Sequence, residues 1–141
     1  MSENAAEKPD VRVVRTGHRT YHAENAAGAT LEIGHGPGLW SPGDLLKAAL
    51  IGCNALSAEA RLEHGLGENF EMTGRVASTY LKDENRISEL DVELVPKFGD
   101  MTPEMETELR KKALAAIERY CTIGRTLDHG IVRGAAIVRE D

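Results

Sequence analysis

Cys53 and Cys121 are the two residues of this 141-residue chain whose type alone could carry covalent chemistry. A thiol is a useful nucleophile as its thiolate, which forms near neutral pH only where a cation or a helix N-terminus lowers the pKa. The two cysteines lie far apart in the sequence and neither has CxxC spacing. That argues against a disulfide scaffold and against a structural zinc site. In a reducing compartment, isolated thiols of this kind are either buried fillers or redox-active residues, since free cysteine is among the most buried residue types. Spacing alone leaves both readings open.

Other chemistry-bearing residues form weaker patterns. His18 and His22 share a face if their strand is unbroken, and two imidazoles can hold a metal, but no nearby Cys, Asp or third His completes a ligand set. His35, His64 and His129 read as turn or helix-end residues. Gly34 to Gly38 (GHGPG) is glycine-rich but lacks the GxGxxG order and the βαβ setting of a phosphate loop, so it reads as a turn. No metal and no cofactor is expected.

The element that must position Cys53 is a long helix, predicted from Ser41 to Gly65. Ser41 is a good N-cap, Pro42 suits the first helical position, and Asp44 completes a capping box. Leu45, Leu46, Ala49, Leu50, Cys53, Leu56 and Ala60 recur at spacings of three and four, one face of a helix. Gly65 is placed as the stop. At about 1.5 Å per residue such a helix is more than about 30 Å long, enough to cross a small domain. Cys53 lies about three turns in, beyond the reach of its own helix dipole. An activating cation must come from elsewhere, and Arg15, Arg19, Arg75, Arg125 and the histidines are the candidates.

Cys121 follows a second predicted helix, capped by Thr102, opened by Pro103 and running to Tyr120, with Met105, Leu109, Ala113, Ala116 and Ile117 as its apolar face. Its position suits a second, resolving thiol or a residue packed beneath the last strand. A further helical turn or two is predicted from Thr122 to His129.

Strand patterns fill the rest. Val11 to Glu24 reads as one strand or a bent pair, and Ala29 to Gly34 as its hairpin partner. Asn69 to Lys82 and the alternation at Leu90, Val92 and Leu94 read as a second hairpin, and Ile131 to Val138 as a last strand. The order ββ-α-ββ-α-β predicts an α+β fold with antiparallel pairing. Residues 1–10 are expected to form a disordered leader and 11–141 a single domain. The first helix carries more apolar face than one small sheet covers, so a homodimer is expected. A formal charge of −6 without a basic run argues against nucleic acid. The most apolar stretch, Leu45 to Leu56, is too short to span a membrane, and the polar start lacks a signal-peptide core, so a cytoplasmic location is expected.

The residues from the first hairpin onward resemble the OsmC/Ohr family of thiol-dependent peroxidases. The resemblance rests on Gly17-His18-Arg19 in a hairpin, Ser41-Pro42-Gly43-Asp44-Leu45 at a helix start, Cys53 about eleven residues past the proline, and Cys121 at the end of the later helix. It implies an intertwined α+β homodimer with the cysteine helices central. It further implies that Cys53 is the peroxidatic thiolate, that Cys121 resolves it, that Arg19 supplies the cation, and that a dithiol reductant such as a lipoylated protein reopens the disulfide. Organic or inorganic hydroperoxides would be the substrate. Peroxidase members carry a glutamate directly after the helix-start proline; this chain has Gly43 there and Asp44 one position later. That departure favours either a modified mechanism or a member that binds a small hydrophobic ligand, whereas the two cysteines favour a peroxidase or a thiol redox sensor.

Overall fold

The structure, a computed structural model, describes residues 10–140. The expected leader therefore lies outside the described residues except for Asp10. The chain divides into two compact units, with the boundary after Leu46 inside the first helix. The strands pair antiparallel and the helices lie apart from them in the chain order, so the fold is α+β.

The first unit is a three-stranded sheet in the order β1 (Val11–Gly17), β2 (Thr20–Asn25), β3 (Thr30–Ile33). The Val11–Glu24 segment is thus a bent pair, with the chain reversing at His18 and Arg19. Arg19 takes a left-handed φ of 56°, a conformation that costs a non-glycine residue roughly 1–2 kcal/mol. Gly34 is buried beneath this turn, because a Cβ there would stand 3.0 Å from the Arg19 carbonyl oxygen and 2.9 Å from Leu39 Cδ1. Asn25 organises the β2–β3 turn, its side-chain oxygen accepting from the N–H groups of Ala27 and Ala29. Trp40 then rejoins the sheet edge, its N–H donating to the Glu32 carbonyl at 2.9 Å.

Helix α1 (Pro42–Leu66) begins with the expected capping box. Ser41 Oγ accepts from the Asp44 N–H at 3.1 Å, and an Asp44 carboxylate oxygen accepts from the Ser41 N–H at 3.4 Å. Two orphan donors are satisfied reciprocally. The stop differs from expectation. Gly65 lies inside the helix and Gly67, at φ +100°, ends it, donating its N–H to Glu63 O at 2.8 Å. Gly65 is small for a packing reason instead: a Cβ there would approach Leu109 Cδ2 to 2.8 Å.

In the second unit β4 (Met72–Leu81) and β5 (Arg86–Pro96) form a long hairpin, turned by a short 3₁₀ segment and by Asn85 in the left-handed region. Helix α2 (Pro103–Tyr120) is capped as predicted, Thr102 Oγ1 accepting from the Met105 N–H at 3.2 Å. Ala58 and Leu62 of α1 meet Leu109 and Ala113 of α2 in the core, with Leu66, Phe70, Met72, Leu94, Phe98 and Ile117 packed around them. Met105, placed on the apolar face by its spacing, is 56% exposed. Gly74 leaves room for Ile51 of α1 against the hairpin, a Cβ there meeting Ile51 Cδ1 at 2.7 Å. Helix α3 (Thr122–His129) follows directly on α2.

The expected last strand does not form. Residues 131–140 carry no regular structure, and Ile131, Val132, Ile137 and Val138 are fully or largely exposed. A strand needs a neighbour to receive its N–H and C=O groups, and no strand among the described residues pairs with this one.

Replacing Ser41 by Ala removes the cap and is expected to lower stability by about 1 kcal/mol. Urea unfolding should show a lower midpoint with an unchanged slope.

Candidate active site

The sharp junction between α2 and α3 determines where both sulfurs sit. Cys121 ends α2, its N–H donating to Ile117 O at 2.9 Å, and at the same time caps α3, with φ −76° and ψ 97°. Its side chain plays the part usually taken by Ser, Thr, Asn or Asp: Sγ accepts from the Gly124 N–H at 3.3 Å. Gly124 permits that closeness, since a Cβ there would stand only 3.3 Å from the sulfur. Cys121 is 2% exposed.

Cys53 arrives from α1 against the same helix start. Its Sγ accepts from the Ile123 N–H at 3.5 Å. That backbone hydrogen bond is the largest of the influences on the thiol and lowers its pKa. Burial acts in the opposite direction, while hydrogen bonds from the Cys121 side chain, the Thr122 N–H and the Ser57 side chain add to the lowering. The balance leaves Cys53 below the ordinary thiol value. Both cysteines are free thiols, Cys53 half-buried and Cys121 buried.

The first turn of α3 is thus a shared anion cradle, its orphan N–H groups pointing at sulfur. The dipole of α1 is too remote to act on Cys53, but the N-terminus of a different helix, α3, is beside it. Sequence spacing did not expose this, because the helix that activates Cys53 is separated from it by the whole β4–β5 hairpin and α2. The available signal was Cys121 followed by Thr122 and Gly124, a cap position ahead of a small residue in a helical first turn. Asn54 is a second residue that the spacing did not mark. Its Nδ2 donates to Cys121 Sγ at 3.1 Å, so Cys121 is held from both sides.

The other expected site residue, Arg19, belongs to the first unit, at the strained tip of the β1–β2 turn. There it lines a surface cavity of about 350 Å³ with Arg15, His18, Tyr21, His35 and Pro42, four basic side chains among them. His18 and His22 do not form a metal pair: the turn breaks the strand at His18, and His22 Nδ1 is 2.5 Å from the Glu32 carboxylate across β3. Arg75 pairs with Glu93 across the second hairpin. Gly43 stands in open space, where an added Cβ would meet nothing closer than Ser41 Oγ at 3.9 Å, and Asp44 is occupied in the cap. A second cavity, of about 570 Å³, opens between α1, β5 and α2, lined by Leu62, Val92, Leu94, Phe98, Ile117 and Asn54.

An α+β chain with two antiparallel hairpin systems and a pair of thiols gathered at a helix start defines a class of cysteine-centred proteins. Residues 34–133 match the OsmC-like protein family, and the chain belongs to it. It is similar to an uncharacterised protein of Mycobacterium tuberculosis, 28% identical over 128 residues that span 89% of this chain and 93% of that protein. Among solved structures it resembles an OsmC-like protein of unknown function from Vibrio cholerae, with TM-score 0.60, 17% identity, and 89% and 94% of the two chains covered. It also resembles an organic hydroperoxide resistance protein from Elizabethkingia anophelis, solved with thiocyanate bound, with TM-score 0.57, 18% identity, and 88% and 91% covered. At these identities the structural likeness speaks for the fold.

The Thr122→Pro variant tests the cradle. Proline suits the first helical position, and the extended backbone of Cys121 suits a residue before proline, so the fold accepts the change while one N–H donor to Cys53 is lost. In iodoacetamide labelling followed by peptide mass, wild-type Cys53 should react with a pH midpoint below that of the unfolded chain, and ahead of buried Cys121. In Thr122→Pro that midpoint should rise. The sign follows from the anion: fewer donors to the thiolate leave less of it at any given pH.

Proposed function

We propose that the protein reduces hydroperoxides through Cys53, with Cys121 as the resolving thiol. The observation that carries this reading is the gathering of both sulfurs on the first turn of α3, where the less buried thiol, Cys53, has its pKa lowered by the N–H groups of that turn. Membership of the OsmC-like family and the likeness to an organic hydroperoxide resistance protein support it.

The Cys53 thiolate attacks the terminal oxygen of the hydroperoxide, an S–O bond forms, the O–O bond breaks, and the alkoxide leaves and takes up a proton to become an alcohol. The Cys121 sulfur then attacks the sulfenic sulfur of Cys53. An S–S bond forms, the S–O bond breaks, and the oxygen leaves as water. A dithiol reductant, for which a lipoylated protein is one candidate, returns both cysteines to thiols by exchange. In this scheme the α3 N–H groups carry part of the charge stabilisation that a glutamate-held arginine gives the peroxidase members, which fits the presence of Gly43 after Pro42. The part that the family resemblance gives Arg19, a cation for the thiolate, belongs to the same proposal.

The working form we propose is a cytoplasmic homodimer. The apolar residues of the 131–138 segment have no partner within the described chain, and the β1 edge carries exposed Val11, Val13 and Val14. Pairing with a second copy would cover such surfaces. Among the described residues no helix is long and apolar enough to cross a membrane. A second reading, a dimer that binds a small hydrophobic ligand without turnover, is favoured by the 570 Å³ cavity and its apolar walls.

Mixing reduced protein with one equivalent of cumene hydroperoxide should give a Cys53–Cys121 disulfide within seconds, read as a loss of 2 Da by intact mass and located by peptide mapping. Cys53→Ser should abolish turnover with a dithiol. Cys121→Ser should stop at a sulfenic acid that dimedone traps. Oxidation of Cys53 no faster than that of a free thiol would sink the peroxidase reading and leave the ligand-binding one. For the dimer, light scattering after size exclusion should give twice the chain mass, and deletion of residues 131–141 should lower it to that of a monomer.

A further inference from the structure

Asn54 follows Cys53 on α1, yet its side chain serves the other cysteine. Its Nδ2 donates to Cys121 Sγ at 3.1 Å, and the Gly124 N–H donates to the same sulfur at 3.3 Å. With two N–H donors on its lone pairs, the Cys121 thiol has its own S–H free to point toward Cys53, whose sulfur sits on the same first turn of α3. The proposed peroxide step leaves one chemical need open: the departing alkoxide requires a proton. Cys121 is 2% exposed, so the thiol lying against the reacting sulfur is screened from bulk water.

We propose that Asn54 is a positioning residue that holds the Cys121 sulfur, so that Cys121 gives its proton to the leaving alkoxide and then, as a thiolate stabilised by the Asn54 amide and the Gly124 N–H, attacks Cys53. This inference rests on the peroxidase reading above and deepens it. The sequence of events conserves every atom. Cys53–S⁻, Cys121–SH and ROOH give Cys53–SOH, Cys121–S⁻ and ROH. The Cys121 thiolate then displaces hydroxide from Cys53 as the disulfide forms, and two electrons have passed from the thiol pair to the peroxide. The same donor that orients the thiol in the resting state holds its charge once the proton has gone, so no rearrangement is needed between the two steps. Placing the amide on the residue next to Cys53 ties the two sulfurs to one turn of α1.

Asn54→Leu, close to isosteric and without a donor, and Asn54→Ala are the variants to compare, with circular dichroism melts confirming that at least one of them folds. After rapid mixing with cumene hydroperoxide, sulfenic acid at Cys53 is read by dimedone trapping and disulfide closure by mass. The expected result is that Cys53 oxidation slows, its proton donor being less well held, that closure slows further, at least tenfold, so that the dimedone adduct accumulates, and that the pH profile of closure moves to higher pH. A second arm uses diamide. It adds to Cys53 directly, and Cys121 resolves the adduct by the same attack on sulfur, releasing the hydrazine. Slowed, pH-shifted closure with diamide alongside failure of wild type to react with peroxide would keep Asn54 in its role and remove the peroxidase reading. Closure at the wild-type rate in both arms, or a uniform slowing of both steps with an unmoved pH profile, would overturn the role given to Asn54.

Discussion

The first turn of α3 is the point on which the cysteine chemistry depends. Every helix begins with N–H groups that have no partner inside it, and most proteins satisfy them with an oxygen from a capping side chain or with water. Here sulfur takes that place twice, Cys121 as the cap itself and Cys53 as an acceptor from the neighbouring helix. Satisfying the helix end and stabilising a thiolate become the same set of hydrogen bonds. Burial of Cys53 works against its charge, and the N–H groups from α3 outweigh it.

The remainder of the second unit can be understood as what keeps that junction in place. Helix α1 meets α2 through side chains, Ala58 and Leu62 on one helix and Leu109 and Ala113 on the other, with Leu109 reaching over to Gly65. The β4–β5 hairpin closes over the other side of α1, with Gly74 beneath Ile51. These contacts set the depth of Cys53 relative to the end of α2. Because α3 turns off directly at Cys121, with no intervening loop, the position of α2 also fixes the N–H groups that face both sulfurs.

The first unit holds a strained turn. Arg19 is held left-handed at the tip of a two-residue turn, over a glycine that could not carry a side chain without striking the Arg19 carbonyl. A residue of ordinary conformational preference kept in that state brings its guanidinium to the same cavity as that of Arg15, on a chain whose net charge is negative. The capping box of α1 lies in this same unit, and it engages Asp44, the carboxylate nearest to the position where peroxidase members carry their glutamate.

Local rules made much of this legible from the amino-acid sequence. Ser41, Pro42 and Asp44 announce the start of α1, and Thr102 and Pro103 that of α2, because caps and first-turn residues act on backbone groups only three or four positions away. Strand alternation located both hairpins for the same reason, as side chains one apart face opposite ways. The α+β class followed from the order of these elements. Local rules failed where the deciding atoms belonged to distant segments. Gly65 looked like a stop and is a packing residue, because only the approach of Leu109 reveals what its missing side chain is for. The segment from Ile131 to Val138 has the alternation of a strand and forms none, since a strand is completed by a neighbour that the described residues do not supply. The sequence by itself determined that Cys53 stands on a long, well-capped helix, too far along it to be activated by that helix. Tertiary structure alone decided what reaches the sulfurs instead, because hydrogen bonds from Ile123, Gly124 and Asn54 depend on where α2 ends in space, and no spacing along the chain encodes that distance.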